Sequence, residues 1–150
     1  MRAKVEGIPA GYQTVTPSLS VTGAREAIEF YKRAFGAEEK NRLLGPGGAV
    51  IHARLKLGDS FLLIGEAMDG RPLTCGVHLY VADADALWAR ATAAGAEVLV
   101  PIADMFWGDR YGVLGDRWGQ RWSIATHQED VPAEEMGRRA AEAMRATPRR

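Results

Sequence analysis

The chain has 150 residues, of which 47% are hydrophobic and 25% are charged. This composition is typical of one globular domain and argues against a disordered, collagen-like or low-complexity chain. Nineteen basic and nineteen acidic residues give a formal net charge of zero, so the sequence provides no overall field for holding DNA or an anionic membrane surface. We therefore expect neither nucleic acid nor a membrane as a partner.

Cysteine content and the N-terminal segment favour a cytoplasmic protein. Cys75 is the only cysteine, so no disulfide can form within the chain, which suits a reducing compartment. Residues 1–13 lack the apolar core of a signal peptide, and no segment approaches the roughly 18 consecutive apolar residues of a membrane span.

Residues 18–39 predict a strand followed by an amphipathic helix. The strand-like alternation ends at Val21, and apolar residues then recur every three or four positions. Gly36 stands where a residue in the left-handed conformation would end the helix. Two strands are predicted to follow, at residues 51–57 and 60–66.

The same order of signals returns about 60 residues later. Residues 78–99 predict a strand, a polar turn and a helix, with Asp83 or Asp85 as the residue that caps the helix. Gly95 is predicted to end that helix. Two more strands follow, at residues 110–114 and 120–126.

The turn before the last strand of each half also repeats, as Leu57-Gly58-Asp59 and then as Leu114-Gly115-Asp116. Repeated signals at a fixed spacing indicate a duplicated unit. We predict an α+β fold made of two βαβββ modules within one domain, at about residues 12–67 and 74–127.

A C-terminal helix is predicted at about residues 130–147. Asp130 is the expected capping acid, and Pro132 lies near the first turn, where proline is well tolerated. The helix carries one thin apolar stripe, suited to packing on the rest of the chain or on a partner subunit.

A duplicated βαβββ unit whose first helix closes with FYKRAFGAE resembles the vicinal oxygen chelate superfamily, which includes glyoxalase I, extradiol dioxygenases and bleomycin-resistance proteins. Residues 106–112 (FWGDRYG) and 116–123 (DRWGQRWS) are similar to the glyoxalase-like bleomycin-resistance branch in particular. The resemblance covers about residues 12–127. It implies that the two modules form a cup around a ligand and that the protein is a homodimer.

The resemblance also implies where the metal-dependent members hold their ion. The matching positions in this chain are Thr16, Gly76, Ser123 and one of Leu62, Leu63 and Ile64. None of these side chains supplies the imidazole, carboxylate or thiolate that a divalent site requires. The resemblance therefore implies a member with no metal and no other cofactor.

The sequence also allows an alternative metal site, at positions that differ from those of the superfamily. Glu66 and His78 would contribute ligands if the strand register differed from the assumed register by two residues.

Strand alternation predicts a polar and basic face toward the ligand, while Val15, Leu19 and Val21 pack beneath a helix and Ile51 faces the core. The residues predicted to contact a ligand are Thr16, Ser18, His52, Arg54, His78, Tyr80, Trp107, Arg110, Arg121 and Ser123.

Two features of the predicted cup have more than one interpretation. His78 is the candidate general acid or base, because imidazole titrates near neutral pH, but a ligand contact or a purely structural role also fits. Phe106 and Trp107 form either a wall of the cup that stacks on a ligand or a hydrophobic plug, in which case Asp109 and Arg110 would form an ion pair that fixes the loop.

The sequence thus favours a small-molecule binding protein that works without a metal. The alternative is an enzyme: a lyase, isomerase or dioxygenase that uses off-pattern metal ligands, or a metal-free catalyst with His78 as acid and base. A structural or interaction dimer is the third possibility, which the C-terminal helix keeps open.

Overall fold

The computed structural model describes residues 6–147, which form two compact units. The first unit runs to Cys75 and includes Trp118–Gln120, and the second comprises Gly76–Arg117 and the chain from Arg121 onward. Each unit contains one four-stranded sheet with parallel and antiparallel pairs. The α+β fold with two βαβββ modules and a C-terminal helix is confirmed.

The first unit has the strand order β1-β4-β3-β2. Its first and last strands pair in parallel, and the other neighbours pair in antiparallel fashion. The elements are β1 (Ser18–Val21), α1 (Ala24–Phe35), β2 (Glu38–Leu44), β3 (Val50–Leu57) and β4 (Ser60–Glu66).

Helix α1 packs its apolar face into the core of the first unit. Ala27, Ile28 and Tyr31 recur at helical spacing and are fully buried, as are Val21 and Leu55 on the sheet. The predicted end of this helix is confirmed, because Gly36 has φ 70° and its N–H donates to the carbonyl of Lys32.

The N-terminus of α1 is capped by a carboxylate from the far end of the module. The two carboxylate oxygens of Glu66 accept hydrogen bonds from the N–H groups of Gly23 and Ala24, each at 2.9 Å. A negative charge here satisfies two free donors and opposes the positive end of the helix dipole. Thr126 stands at the equivalent place in the second module, where its hydroxyl accepts from the N–H of Ala84 at 2.8 Å.

The second unit repeats the arrangement, with strand order β5-β8-β7-β6. Its core includes Trp122, Ile124 and Leu114, all fully buried, and the indole of Trp122 donates to Asp116 at 2.9 Å. The elements are β5 (Gly76–Tyr80), α2 (Ala84–Ala93), β6 (Glu97–Asp104), β7 (Asp109–Gly115), β8 (Arg121–His127) and α3 (Ala133–Ala146).

Two predictions about the first sheet are wrong. Val15 was expected to pack beneath a helix, but β1 begins only at Ser18 and Val15 is 81% exposed. Ile51 was expected in the core, but it is the extra residue of a β-bulge: Leu43 pairs with His52 while Leu44 pairs with Val50. The bulge buries Val50 and turns Ile51 outward.

Two predictions about turns and caps in the second unit are also wrong. Gly115 was expected in a turn, but it lies within β7 and pairs with Arg121. Asp130 was expected to cap α3, but that helix has no side-chain cap, and Asp130 instead contacts His127. Asp83 does cap α2, by accepting from the N–H of Ala86 at 3.0 Å.

Within residues 6–147 no helix is both long and apolar enough to cross a membrane.

Candidate functional site

The residues predicted to contact a ligand divide between the two units. The first unit holds Thr16, Ser18, His52 and Arg54, and the second holds His78, Tyr80, Trp107, Arg110, Arg121 and Ser123.

Five neighbouring rings lie on the second sheet and on the turn between β6 and β7, and we call them the aromatic row: Tyr80, His78, Tyr111, Trp107 and Phe106. The His78 ring lies 4.5 Å from the Tyr80 ring and 5.9 Å from the Tyr111 ring, to which it is nearly parallel. Trp107 meets Tyr111 edge-on at 5.2 Å, and Phe106 meets Trp107 edge-on at 5.0 Å. These spacings are those of favourable aromatic pairs.

Strand pairing explains why the row forms. His78 on β5 pairs with Ser123 on β8, and Tyr111 on β7 pairs with Ala125 on β8. Side chains on alternate positions share one face, so strands on either side of β8 bring His78 and Tyr111 together. The hydroxyl of Tyr111 lies 3.5 Å from that of Ser123.

The aromatic row is accessible at one end. Tyr80 is 63% exposed and His78 is exposed, whereas Tyr111, Trp107 and Phe106 are half-buried. Grouped aromatic rings that remain in contact with water offer an apolar surface on which a flat organic molecule can stack.

A buried carboxylate binds two members of the row, Tyr80 and Trp107. Asp109 is only 3% exposed, and one of its oxygens accepts from the Tyr80 hydroxyl at 2.9 Å and from the Trp107 indole N–H at 3.2 Å. Its other oxygen lies 2.8 Å from Nδ1 of His127. A second carboxylate, that of Asp130, lies 2.8 Å from Nε2 of the same imidazole.

The hydrogen bonds around Asp109 fix its charge state. Burial by itself would raise the pKa of Asp109, but hydrogen bonds from His127, Tyr80 and Trp107 outweigh it and hold the pKa below the usual value. The hydrogen bond to Asp109 raises the pKa of Tyr80. The hydrogen bonds to Asp109 and then to Asp130 raise the pKa of His127 above its ordinary value of 6.5.

We expect a pH titration of the His127 imidazole, followed by NMR, to give a pKa above 6.5. Because the folded-state pKa is raised, the charged imidazole contributes stability that is fully present below the unfolded-state pKa and is lost as the pH rises through the folded-state pKa. Replacing Asp130 with asparagine should move the pKa of His127 toward its ordinary value. An unchanged pKa in Asp130→Asn would contradict this assignment.

Arg110 and Arg121 lie outside the aromatic row. The guanidinium of Arg110 binds Asp85 at 2.9 Å and approaches Asp104 at 3.4 Å, and Arg121 is exposed. The predicted ion pair between Asp109 and Arg110 is therefore wrong, because each has other partners.

In the first unit the predicted contact residues do not form one cluster. Thr16 precedes β1 and its hydroxyl donates to the carbonyl of Gln13 at 3.5 Å, while Ser18 is exposed. His52 and Arg54 are half-buried on β3, and Arg54 lies over the rings of Tyr12 and Phe61.

The residues at the superfamily's metal positions do not fit a metal. Ser18 pairs with Leu63 as His78 pairs with Ser123, so Leu63 is the counterpart of Ser123. Together with Thr16 and Gly76 these positions offer no strong ligand. Glu66 is engaged by the N-terminus of α1, and the described residues contain no group of three or more His, Cys, Asp or Glu side chains suited to a metal ion.

Sequence reasoning missed Asp109 and His127 as parts of this site. Asp109 was considered only as a possible ion-pair partner of Arg110, and His127 was not selected. The sequence signal for them is weak: an acid between glycine and arginine at the start of a strand, and a histidine at the end of the next strand.

Residues 13–124 match the family model described as "Glyoxalase/Bleomycin resistance protein/Dioxygenase superfamily". The chain belongs to this superfamily. Among curated relatives, uncharacterized proteins of Mycobacterium bovis and Mycobacterium tuberculosis are 36% identical over 136 residues, which cover 81% of this chain. The match covers 88% of the first relative and 79% of the second.

Solved structures of other proteins share the fold. TioX from Micromonospora sp. ML1 is 26% identical, with a TM-score of 0.69 over 77% of this chain and 98% of TioX. TnmS3, an antibiotic binding protein from Streptomyces sp. CB03234, is 20% identical, with a TM-score of 0.62 over 78% of this chain and all of TnmS3 (100%). At 20% identity the likeness to TnmS3 shows the fold alone.

Proposed function

We propose that this superfamily member binds a small, flat organic molecule on the aromatic row and that it does so without a metal ion. The observation that carries the proposal is the row itself. Five rings in edge or face contact, open at Tyr80, are tied together by the buried carboxylate of Asp109.

The row suits binding because its geometry is fixed before a ligand arrives. Hydrogen bonds to Asp109 hold Tyr80 and Trp107 in place, so little side-chain freedom remains to be lost on binding. The rings supply stacking surface, and the His78 imidazole and the Ser123 hydroxyl supply hydrogen-bonding groups that orient a ligand.

Two further observations support the proposal. The side chains at the superfamily's metal positions, Thr16, Leu63, Gly76 and Ser123, favour binding through organic contacts rather than through an ion. The fold is also compatible with such a role, because TnmS3, which shares it, is an antibiotic binding protein.

A metal-free lyase or isomerase is the second candidate. The exposed imidazole of His78 stands within the row, where it can exchange a proton with a bound ligand. Binding with consumption of the ligand, lost in His78→Gln, distinguishes this candidate from simple binding.

The proposal also includes a homodimer in the cytoplasm. The dimer is supported by the apolar stripe of α3, where Met144 is largely exposed. Sedimentation equilibrium of the full chain measures the association state directly.

The proposed function is tested with proflavine and 1-naphthol as flat aromatic probes, with binding followed by probe fluorescence. We expect saturable binding to the wild type that is about fivefold weaker in Trp107→Leu, because one ring-on-ring contact contributes roughly 1 kcal/mol beyond its buried area.

Trp88→Leu is the matched control. Trp88 lies on α2 and packs against Gly112, which alternates with Tyr111 along β7 and so faces away from the row. Trp88→Leu should keep the wild-type affinity. Equal affinities in all three proteins, or no saturable binding of either probe, would contradict the proposed function.

A further inference from the structure

Arg54, on β3 of the first unit, is a half-buried guanidinium without a counter-charge. Within residues 6–147 no carboxylate lies within ion-pair distance of it. We propose that Arg54, with Tyr12 and Phe61, forms a binding site for the carboxylate of a small organic monoanion. The inference goes beyond the proposed function, since it concerns the first unit and either idea can fail alone.

Two aromatic rings hold the guanidinium in place. The central carbon of the guanidinium lies 4.9 Å from the centre of the Phe61 ring and 5.7 Å from that of Tyr12. The two rings are themselves 4.7 Å apart. Stacking on aromatic faces leaves the nitrogen-bearing edge of a guanidinium free to donate hydrogen bonds in its plane.

One donor on that edge lacks an acceptor. Nε of Arg54 is buried and makes no hydrogen bond, and it is the only buried side-chain nitrogen or oxygen in this state among the described residues. Buried polar groups are nearly always paired, because an unpaired one loses its hydration without compensation. The missing partner is the strongest sign that a ligand completes this site.

Another arginine shows how a guanidinium in this protein is hydrogen-bonded when an acceptor is present. Arg42, in the same sheet, donates from Nε to Glu39 at 2.7 Å and from a terminal nitrogen to the same carboxylate at 2.9 Å. A ligand carboxylate would make the same paired contact with Nε and a terminal nitrogen of Arg54.

The groups around Arg54 leave no protein carboxylate to compete with an anionic ligand. Its cross-strand partners are Asn41 and Leu63, which are uncharged. Lys56, on the same face of β3, lies opposite Glu38, whose ion-pair partner is Lys40 at 2.6 Å. A single ligand carboxylate supplies the two oxygens that Nε and a terminal nitrogen of Arg54 can bind.

Access to Nε requires a movable neighbour, and Tyr12 provides one. It lies before β1, outside any helix or strand, and is itself half-buried. In the proposed complex this ring moves aside so that a ligand oxygen reaches the Nε–H, while Phe61, on β4, keeps its position against the guanidinium.

The test uses the wild-type chain with sodium benzoate, benzamide and phenyl phosphate. The Nε–H resonance of Arg54 is followed by NMR and assigned in the wild type by through-bond correlations to the backbone amide of Arg54. We expect benzoate to shift this resonance saturably, benzamide to leave it unchanged, and phenyl phosphate to bind more weakly than benzoate. The Nε–H of Arg42 is the internal control and should not move, because Glu39 already occupies it.

Affinity for benzoate should fall at least about tenfold in Arg54→Met, since hydrogen bonds to charged groups are lost, and should not change in Arg42→Met. An Arg54 resonance that does not respond to benzoate, or one that responds equally to benzamide, would overturn the site. Tighter binding of phenyl phosphate would overturn its assignment to a carboxylate. The wild-type titration needs no variant, so a misfolded Arg54→Met would not block the test.

Discussion

Replacing Asp109 with alanine is expected to lower the free energy of unfolding by about 3 kcal/mol, because hydrogen bonds to a charged group contribute roughly 1.5–3 kcal/mol each and part of the loss is recovered by water. Asp109 receives three such bonds, from Tyr80, Trp107 and His127. Tyr80 and His127 are largely exposed and can turn to water after the change. The indole N–H of Trp107 is half-buried and bears more of the cost.

The same substitution should weaken probe binding on the aromatic row. Without Asp109 the Tyr80 and Trp107 rings are no longer fixed, so a ligand must order them as it binds. Urea unfolding measures the first effect, and a proflavine titration of the folded variant measures the second.

Asp109→Asn is the matched comparison. An asparagine keeps the size of the side chain: its oxygen can accept from Tyr80 and Trp107, and its amide can donate to a neutral His127. We expect the free energy of unfolding to fall by about 1 kcal/mol and the pKa of His127 to fall, although Asp130 would still raise it. If Asp109→Ala were as stable as the wild type, the carboxylate would not be the organising group of the site.

Gly108→Ala is expected to lower the free energy of unfolding by about 2–5 kcal/mol. A left-handed backbone conformation costs a residue with a side chain roughly 1–2 kcal/mol, and overpacking adds roughly 1–3 kcal/mol. Gly108 has φ 98°, and an added Cβ would stand 2.3 Å from the carbonyl oxygen of Glu129. The carbonyl of Gly108 also accepts from the N–H groups of Gln128 and Glu129. The clash would therefore lie where the turn that contains Trp107 packs against the residues that follow β8.

Gly95→Ala separates the two costs. Gly95 also has a positive φ, 108°, but an added Cβ there would meet no atom within 4 Å. Gly95→Ala should lower the free energy of unfolding only by the cost of the left-handed backbone, about 1–2 kcal/mol. The difference between the two variants in urea unfolding measures the clash, and equal losses would show that the Glu129 segment moves aside without cost.

Much of the fold was predictable because its signals are local. Helical spacing identified the buried face of α1, and the left-handed glycine at its end needs only Gly36. The alternation that buries Trp122 and Ile124 is also local. The start of β1 and the bulge at Ile51 were missed because both depend on strand pairing. The sequence of one strand does not show where its partner strand pairs with it.

The candidate site was predictable only in part. Tyr80, His78 and Trp107 were selected one by one, from alternation and from an aromatic pair in a loop. What links them is Asp109, which reaches Tyr80 across 29 positions of sequence and His127 across 18. Likewise, Arg54 was selected as a basic residue, but its missing partner emerges only from the packing of Tyr12 and Phe61 around it.

The long-range cap on α1 bears on how each module assembles. Gly23 offers no side chain, so the start of α1 gains its hydrogen-bonding partner only when Glu66 arrives at the end of β4. Helix α2 instead carries a cap of its own, Asp83, besides the Thr126 hydroxyl. The second helix therefore has a capping partner within its own first turn, whereas the capping hydrogen bonds of the first require the closing strand of its module to be in place. Although the two halves share one pattern, the caps of their helices connect residues over different lengths of chain.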